Sequence, residues 1–423
     1  MFRDSSQLIL NRWFAIAALV LLMSPAAWAV DYGILHSFGQ ANVSPSSGLT
    51  VDDHGNAYGT TAPGCGAGAG TVYEMSPTSG YHQLYHFSCY GSGGNNPQGN
   101  LAVDSAGNLY GTTTYGGNSS DGCSSSRRTC GTVFELSPPP DGVGSWTETL
   151  LYAFCSQANC TDGANPQSGV IIDSEGNLYG TTFGVVFELS PPPGGNGPWT
   201  ETVLHTEKYL YGSLVFDNVG NLYGTTTGGG VNGGGTAFEL SPAANGWIET
   251  VLYNFCSQPS CADGDQPSSS LTFDGSGNLY GTTSTGGRPG CVYDGSSGCG
   301  TVFELTPNIN GSWTETILHA FSRSDGATPL AAVVLDPAGN VYGTTYLGGS
   351  PACDGDGFGC GTVFRLTPKN GLWSASVFRF AGYQTGSNPA APLTLDSTGN
   401  VYGTTTIGGR GTLPRGVVFR ITQ

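Results

Sequence analysis

Twelve cysteines carry most of the chemistry this sequence offers. They fall in couples: Cys65/Cys89, Cys123/Cys130, Cys155/Cys160, Cys256/Cys261, Cys291/Cys299 and Cys353/Cys360. Zinc would need four converging ligands, typically with C-x₂₋₄-C spacing, and most couples here are wider. The N-terminus reads as an export signal. Arg3 and Arg12 precede an apolar run, Trp13 to Met23, then Pro25 and the small-x-small site Ala27-Trp28-Ala29. An even cysteine count in an exported chain points to disulfides, so each couple is expected to bond within itself. Short bridged loops add modest stability; their use is to stiffen loops.

Carboxylates are the second candidate group. The segments CTDGANP, CADGDQP and RSDGATP place Asp162, Asp263 and Asp325 at matching positions, and other loops add Asp121, Asp294, Asp354 and Asp356. Asp and Gly in turn loops can supply the oxygen ligands calcium takes. They also simply make Asp-Gly turns. No run has the twelve-residue EF-hand pattern, so no metal site is assigned and calcium stays a possibility. His36, His205 and His319 occupy the place held by Tyr85, Tyr152 and Tyr253 in sister segments. A residue that exchanges with tyrosine reads as packing, not as a general base. No GxSxG, HExxH or P-loop sequence occurs, and no catalytic residue is assigned.

The elements that must position these groups are written as a repeat. GNAYGTT from Gly55, GNLYGTT from Gly107, Gly176, Gly220 and Gly277, and GNVYGTT from Gly339 and Gly399 recur every 44–69 residues. Such a period signals a repeat architecture. Before each copy stands an apolar run ending in Asp, such as LTFD at Leu271–Asp274. After it comes GTVFEL or a variant, then a run such as WIETVLYNF from Trp247. Each run is short, β-branched or aromatic, and bounded by Gly, Pro, Asp or Asn, which is strand patterning. One unit is therefore four strands, A to D in chain order. Seven units predict an all-β, seven-bladed β-propeller of four-stranded antiparallel blades. A linear solenoid would need end caps that the sequence does not show.

The ends of the chain predict how the ring closes. ILHSF at Ile34–Phe38 resembles strand D but precedes any strand A, while the last unit, Leu393 to Ile421, lacks strand D. Residues 32–39 are expected to complete blade seven, so residues 1–29 are the signal and 30–423 the propeller. A seven-fold phrase is scaffold: DxxGN makes the A–B hairpin, and the glycine of YGTT allows a neighbouring sheet to approach. Because strands alternate in direction, the B–C and D–A loops share one face of the disc, and all the cysteines lie in or beside them. The other face carries the DxxGN turns and Ser-Pro links. The repeated Trp146, Trp199, Trp247, Trp313 and Trp373, which open D strands, could stack sugars but read as cover for the blade rim.

Tandem units of the form L-x-x-D-x-x-G-N-L-Y-G-T-T…G-G…G-T-V-F-x-L resemble the GloVer (Gloeobacter–Verrucomicrobia) repeat family over about residues 32–421. The resemblance implies export and repeats, in surface or secreted bacterial proteins whose repeats sit beside varied anchors. It brings no activity and no site residues. Unit three departs from it, lacking the GG and having a very short B–C link at Thr182–Gly184. A looser similarity runs to NHL-type propellers, some of which are lyases or hydrolases.

Charged residues make up only 10% of the chain, and the net charge is −17. Low charge with 11% aromatic residues argues against disorder. An acidic surface repels phosphate backbones and anionic lipids, so nucleic acid and membrane are poor partners. Eleven apolar residues before a proline are short for a span, so no membrane span is expected after cleavage. Function is expected on the loop-bearing face, because binding residues sit on loops held by a rigid scaffold. The sequence points to a secreted, periplasmic or surface binding scaffold, with a protein or polysaccharide ligand. A lyase or glycan-active enzyme with its site at the channel mouth, and a structural coat component, are the alternatives.

Overall fold

The computed structural model describes residues 30–39, 44–62, 69–89, 93–117, 130–195, 197–293, 296–350, 353, 357–409 and 415–422. Each repeat folds into one antiparallel sheet of four strands in chain order, and seven such sheets form the ring. Blade 4 is representative: Val215–Phe216, Leu222–Thr226, Thr236–Ala243 and Gly246–Asn254. Strand A is innermost, two residues long in six blades and extended to Gly94–Val103 in blade 2. Strand D is outermost, and in most blades it carries a β-bulge. In blade 7 the outer position is filled by the N-terminal strand Asp31–Ser37, paired with Val417–Thr422. The first and last described strands thus lie in one sheet, as the missing D strand of the last unit required. Among the described residues no helix is long and apolar enough to cross a membrane.

The repeated phrase can be read residue by residue in blade 5. Asp274 Oδ1 accepts the backbone N–H groups of Ser276 and Asn278, at 2.8 and 2.9 Å. Its Oδ2 accepts Asn278 Nδ2 at 2.8 Å. The single proton of Tyr280 OH is shared between Asp274 Oδ2 at 3.4 Å and Glu304 Oε1 at 3.0 Å. Aspartate therefore fixes the A–B turn through four donors, and the other six blades repeat the arrangement. A Cβ on Gly281 would meet Phe303 Cζ at 2.5 Å. The close neighbour of this glycine is thus its own cross-strand partner, Phe303, rather than the adjacent sheet that the sequence suggested. Thr282 donates to the Ala331 carbonyl of the next blade at 3.1 Å, and Thr283 bonds Thr301 of strand C at 2.8 Å. The phrase is scaffold because each of its side chains has a partner within the sheet or across the seam.

The core sits in the seams between blades. At six of them the aromatic residue ending strand D meets the strand-C aromatic of the next blade. Phe87–Phe134, Phe154–Phe187, Phe255–Phe303, Phe321–Phe364, Phe380–Phe419 and Phe38–Tyr73 have ring centroids 4.9–5.3 Å apart. The five tryptophans are half-buried in seams rather than on an open rim; Trp146 packs on Tyr58 and Trp199 on Tyr110 of the preceding blade.

Candidate functional site

The loop-bearing face is built as the strand directions require. Bonds join Cys155 to Cys160, Cys256 to Cys261, Cys291 to Cys299 and Cys353 to Cys360. Cys89 and Cys130 are also disulfide-bonded; their expected partners, Cys65 and Cys123, lie outside the described residues. Cys130 lies beside the Cys155–Cys160 bond, but sulfurs already in disulfides are not the thiolates zinc takes.

The acidic residues of this face separate into two groups. Asp121, Asp294, Asp354 and Asp356 lie outside the described residues. Asp162 and Asp263 are wholly buried, which corrects their assignment to a ligand-contacting surface. Asp162 Oδ2 accepts Tyr152 OH, the Ser156 N–H and Ser156 Oγ at 2.8–2.9 Å. Asp263 repeats this with Tyr253 and Ser257, and its Oδ1 takes the Gln258 N–H at 3.1 Å. Asp325, half-buried, takes the Ser322 N–H at 2.7 Å and faces His319 Nε2 at 3.1 Å. These carboxylates tie each D–A loop back to its own D strand. A plain Asp-Gly turn was one reading of the motif; the structure makes it an anchor of the D–A loop, which in blades 2 and 4 one disulfide each also closes. The bonded oxygens face N–H and O–H donors, the reverse of the all-oxygen shell that calcium takes.

A second feature escaped the sequence. The D-strand glutamate of one blade lies against the D-strand Tyr or His of the blade before it. Burial, with Asp162 nearby, pushes the Glu201 carboxyl up to about 7. Burial, with Asp263 nearby, pushes Glu315 up to about 8. The repeated WTET motif was the only signal, and it does not say what lies across the seam.

The central channel, about 830 Å³, is walled by segments of all seven units, and among the described residues Tyr211 is the one ionisable side chain lining it. A separate apolar pocket of about 430 Å³ lies between blades 7 and 1, lined by Leu49, Ala57, Met75 and Tyr402 among others. It marks the seam where the repeat is smallest. Ala57 replaces the Leu or Val of its sisters, and Ser79, eight residues before Phe87, stands where Trp146 precedes Phe154.

The exposed aromatic side chains are segregated. Among the described residues the exposed Phe and Tyr are Phe183, Tyr209, Tyr211, Phe358 and Tyr383, and all five belong to B–C or D–A loops. Tyr209 has φ +66°, a backbone region costly for an aromatic residue.

Comparison with known proteins bears on the whole chain. The model of the Gloeobacter/Verrucomicrobia repeat matches residues 23–206, 125–293, 183–350 and 289–423. No curated protein matches the chain. Among solved structures, a chain described as a 6-phosphogluconolactonase from Bacteroides uniformis superimposes with TM-score 0.53 at 14% identity, covering 85% of this chain and 90% of that one. The extracellular domain of a chain described as a hybrid two component system from B. thetaiotaomicron gives TM-score 0.52 at 12% identity, over 92% of this chain and 40% of that one. The present chain thus spans about two fifths of that solved domain. At such identities the likeness is one of fold.

Proposed function

The chain belongs to the Gloeobacter/Verrucomicrobia repeat family, and on that premise we propose that it is an exported recognition propeller, binding a protein or polysaccharide through its loop-bearing face. The observation that carries this reading is the gathering of Phe183, Tyr209, Tyr211, Phe358 and Tyr383 on the face that also carries the disulfides. Aromatic side chains offer large contact area with little rotamer freedom to lose, and they dominate binding hot spots. Phe358 stands in the loop closed by Cys353–Cys360, and a pinned loop lowers the ordering cost of association. The disulfides support an oxidising compartment outside the cytoplasm. Among the described residues lining the channel only Tyr211 is ionisable, which supports recognition over acid–base chemistry there.

The test is a binding screen of the untagged mature chain against soluble polysaccharides, cell-wall fractions and envelope proteins, once with calcium and once with EDTA. For any partner found, the triple variant Phe183→Ser, Tyr209→Ser, Tyr211→Ser should weaken binding at least tenfold. Val219→Ser with Ile309→Ser, on the opposite face, should leave it unchanged. The opposite pattern would refute the assignment of the face.

A further inference from the structure

Six seams of the ring are closed by an aromatic pair at the end of strand D; the seam between blades 3 and 4 is not. Glu207 stands eight residues after Trp199, where Phe154 follows Trp146 and Phe255 follows Trp247. Two residues earlier, His205 pairs with Val186 of strand C, in the register that Tyr152 holds opposite Val133. Across the seam, Glu249 of blade 4 pairs with Leu240. Unit three has thus exchanged both of the apolar-faced residues at this place for metal-ligating ones, directly opposite a carboxylate.

The three side chains converge. One donor atom from each of His205, Glu207 and Glu249 lies within 4.8 Å of the other two. His205 Nε2 is 3.6 Å from Glu249 Oε2, too long for a hydrogen bond. That nitrogen is shielded from solvent and has no hydrogen-bond partner. Glu207 Oε1 accepts the Lys208 N–H at 2.8 Å, which orients the carboxylate and leaves its second oxygen for another partner. Two ligands bound tetrahedrally at zinc distances stand roughly 3.3 Å apart, close to the His205–Glu249 separation; Glu207 would close in from within 4.8 Å.

We infer that His205, Glu207 and Glu249 form a binding site for a divalent cation of the zinc class, joining blade 3 to blade 4. An imidazole donor suits zinc and its neighbours, whereas calcium and magnesium take oxygen. Two carboxylates balance the charge of the ion, and a water would complete four-fold coordination. The location also has a reason. No cysteine occurs between Cys160 and Cys256, so blade 3 has no disulfide of its own, and the ion would tie its D–A loop to the next blade.

The experiment uses the untagged mature chain, freed of metal with EDTA and then titrated with zinc, and separately with cobalt for its visible absorption. The expected result is one ion per chain, tetrahedral cobalt bands, and a rise in Tm on adding zinc. His205→Tyr installs the residue that Tyr152 and Tyr253 represent in sister blades, so the fold is kept; its Tm in EDTA should match the parent. That variant should lose the cobalt bands and the zinc response. Glu249→Gln and Glu207→Gln should each weaken binding at least tenfold. Absence of stoichiometric zinc binding would overturn the proposal and leave His205–Glu249 as a simple ion pair. Binding that survives unchanged in His205→Tyr, or equal affinity for calcium, would also overturn it.

Discussion

Glu315 supplies a pH dependence whose size can be worked from its surroundings. It lies on the outer strand of blade 5, facing Tyr253 and Asp263 of blade 4, and its Oε1 is buried without a hydrogen bond. Burial, then the charge of Asp263, lifts its carboxyl from 4.5 to about 8. The folded protein therefore prefers the neutral acid. Its contribution to stability is fully present below about pH 4.5, where both states are protonated. It is lost as pH rises through about 8, because the unfolded chain ionises first. At about 1.4 kcal/mol for each tenfold change, the full span is about 5 kcal/mol. Partial contact of the side chain with solvent cuts this to about 2–3 kcal/mol. Glu315→Gln keeps the shape and removes the charge. Urea unfolding should show it close to the parent at pH 5 and more stable by about 2 kcal/mol at pH 8.5. An equal effect at both pH values, or a loss of stability confined to pH 8.5, would refute the reasoning. Glu201, pushed up to about 7 beside Asp162, should behave likewise, and the two effects should add because they lie in different seams.

Three further outcomes are expected. Gly281→Ala forces a Cβ to within 2.5 Å of Phe303 and should cost about 1–3 kcal/mol by overpacking. Gly275→Ala, with nothing within 4 Å, is the neutral control in the same urea titration. Ala57→Leu restores the sister residue in the pocket between blades 7 and 1 and should stabilise the chain by about 1 kcal/mol, seen as a higher Tm. Deleting residues 30–39 leaves the Val417–Thr422 edge unpaired, so the truncated protein should aggregate; a peptide spanning 30–39 should restore a monomer in size-exclusion chromatography.

The loop chemistry was legible only in part. Cysteine couples five to eight residues apart could be paired by proximity along the chain, and the four fully described bonds follow that pairing. The Asp of CTDGANP was visible as a repeated residue, but its direction was not. Nothing local shows that Tyr152 and Ser156 turn its carboxylate inward. The same holds for His205, which reads as a tyrosine substitute within its own unit and meets Glu249 only across a seam.

The sequence by itself determined the number of blades, the four strands in each, the A–B turns and the closing role of the N-terminal strand. These follow from period-two alternation and turn chemistry, which act between residues near one another in the chain. Tertiary structure alone decided what faces what across the seams: the aromatic pairs, the raised carboxyls of Glu201 and Glu315, and the meeting of His205, Glu207 and Glu249. Those contacts join residues of adjacent sheets, whose relative placement is set by packing seven twisted blades around one axis, and no pattern within a single repeat encodes that placement.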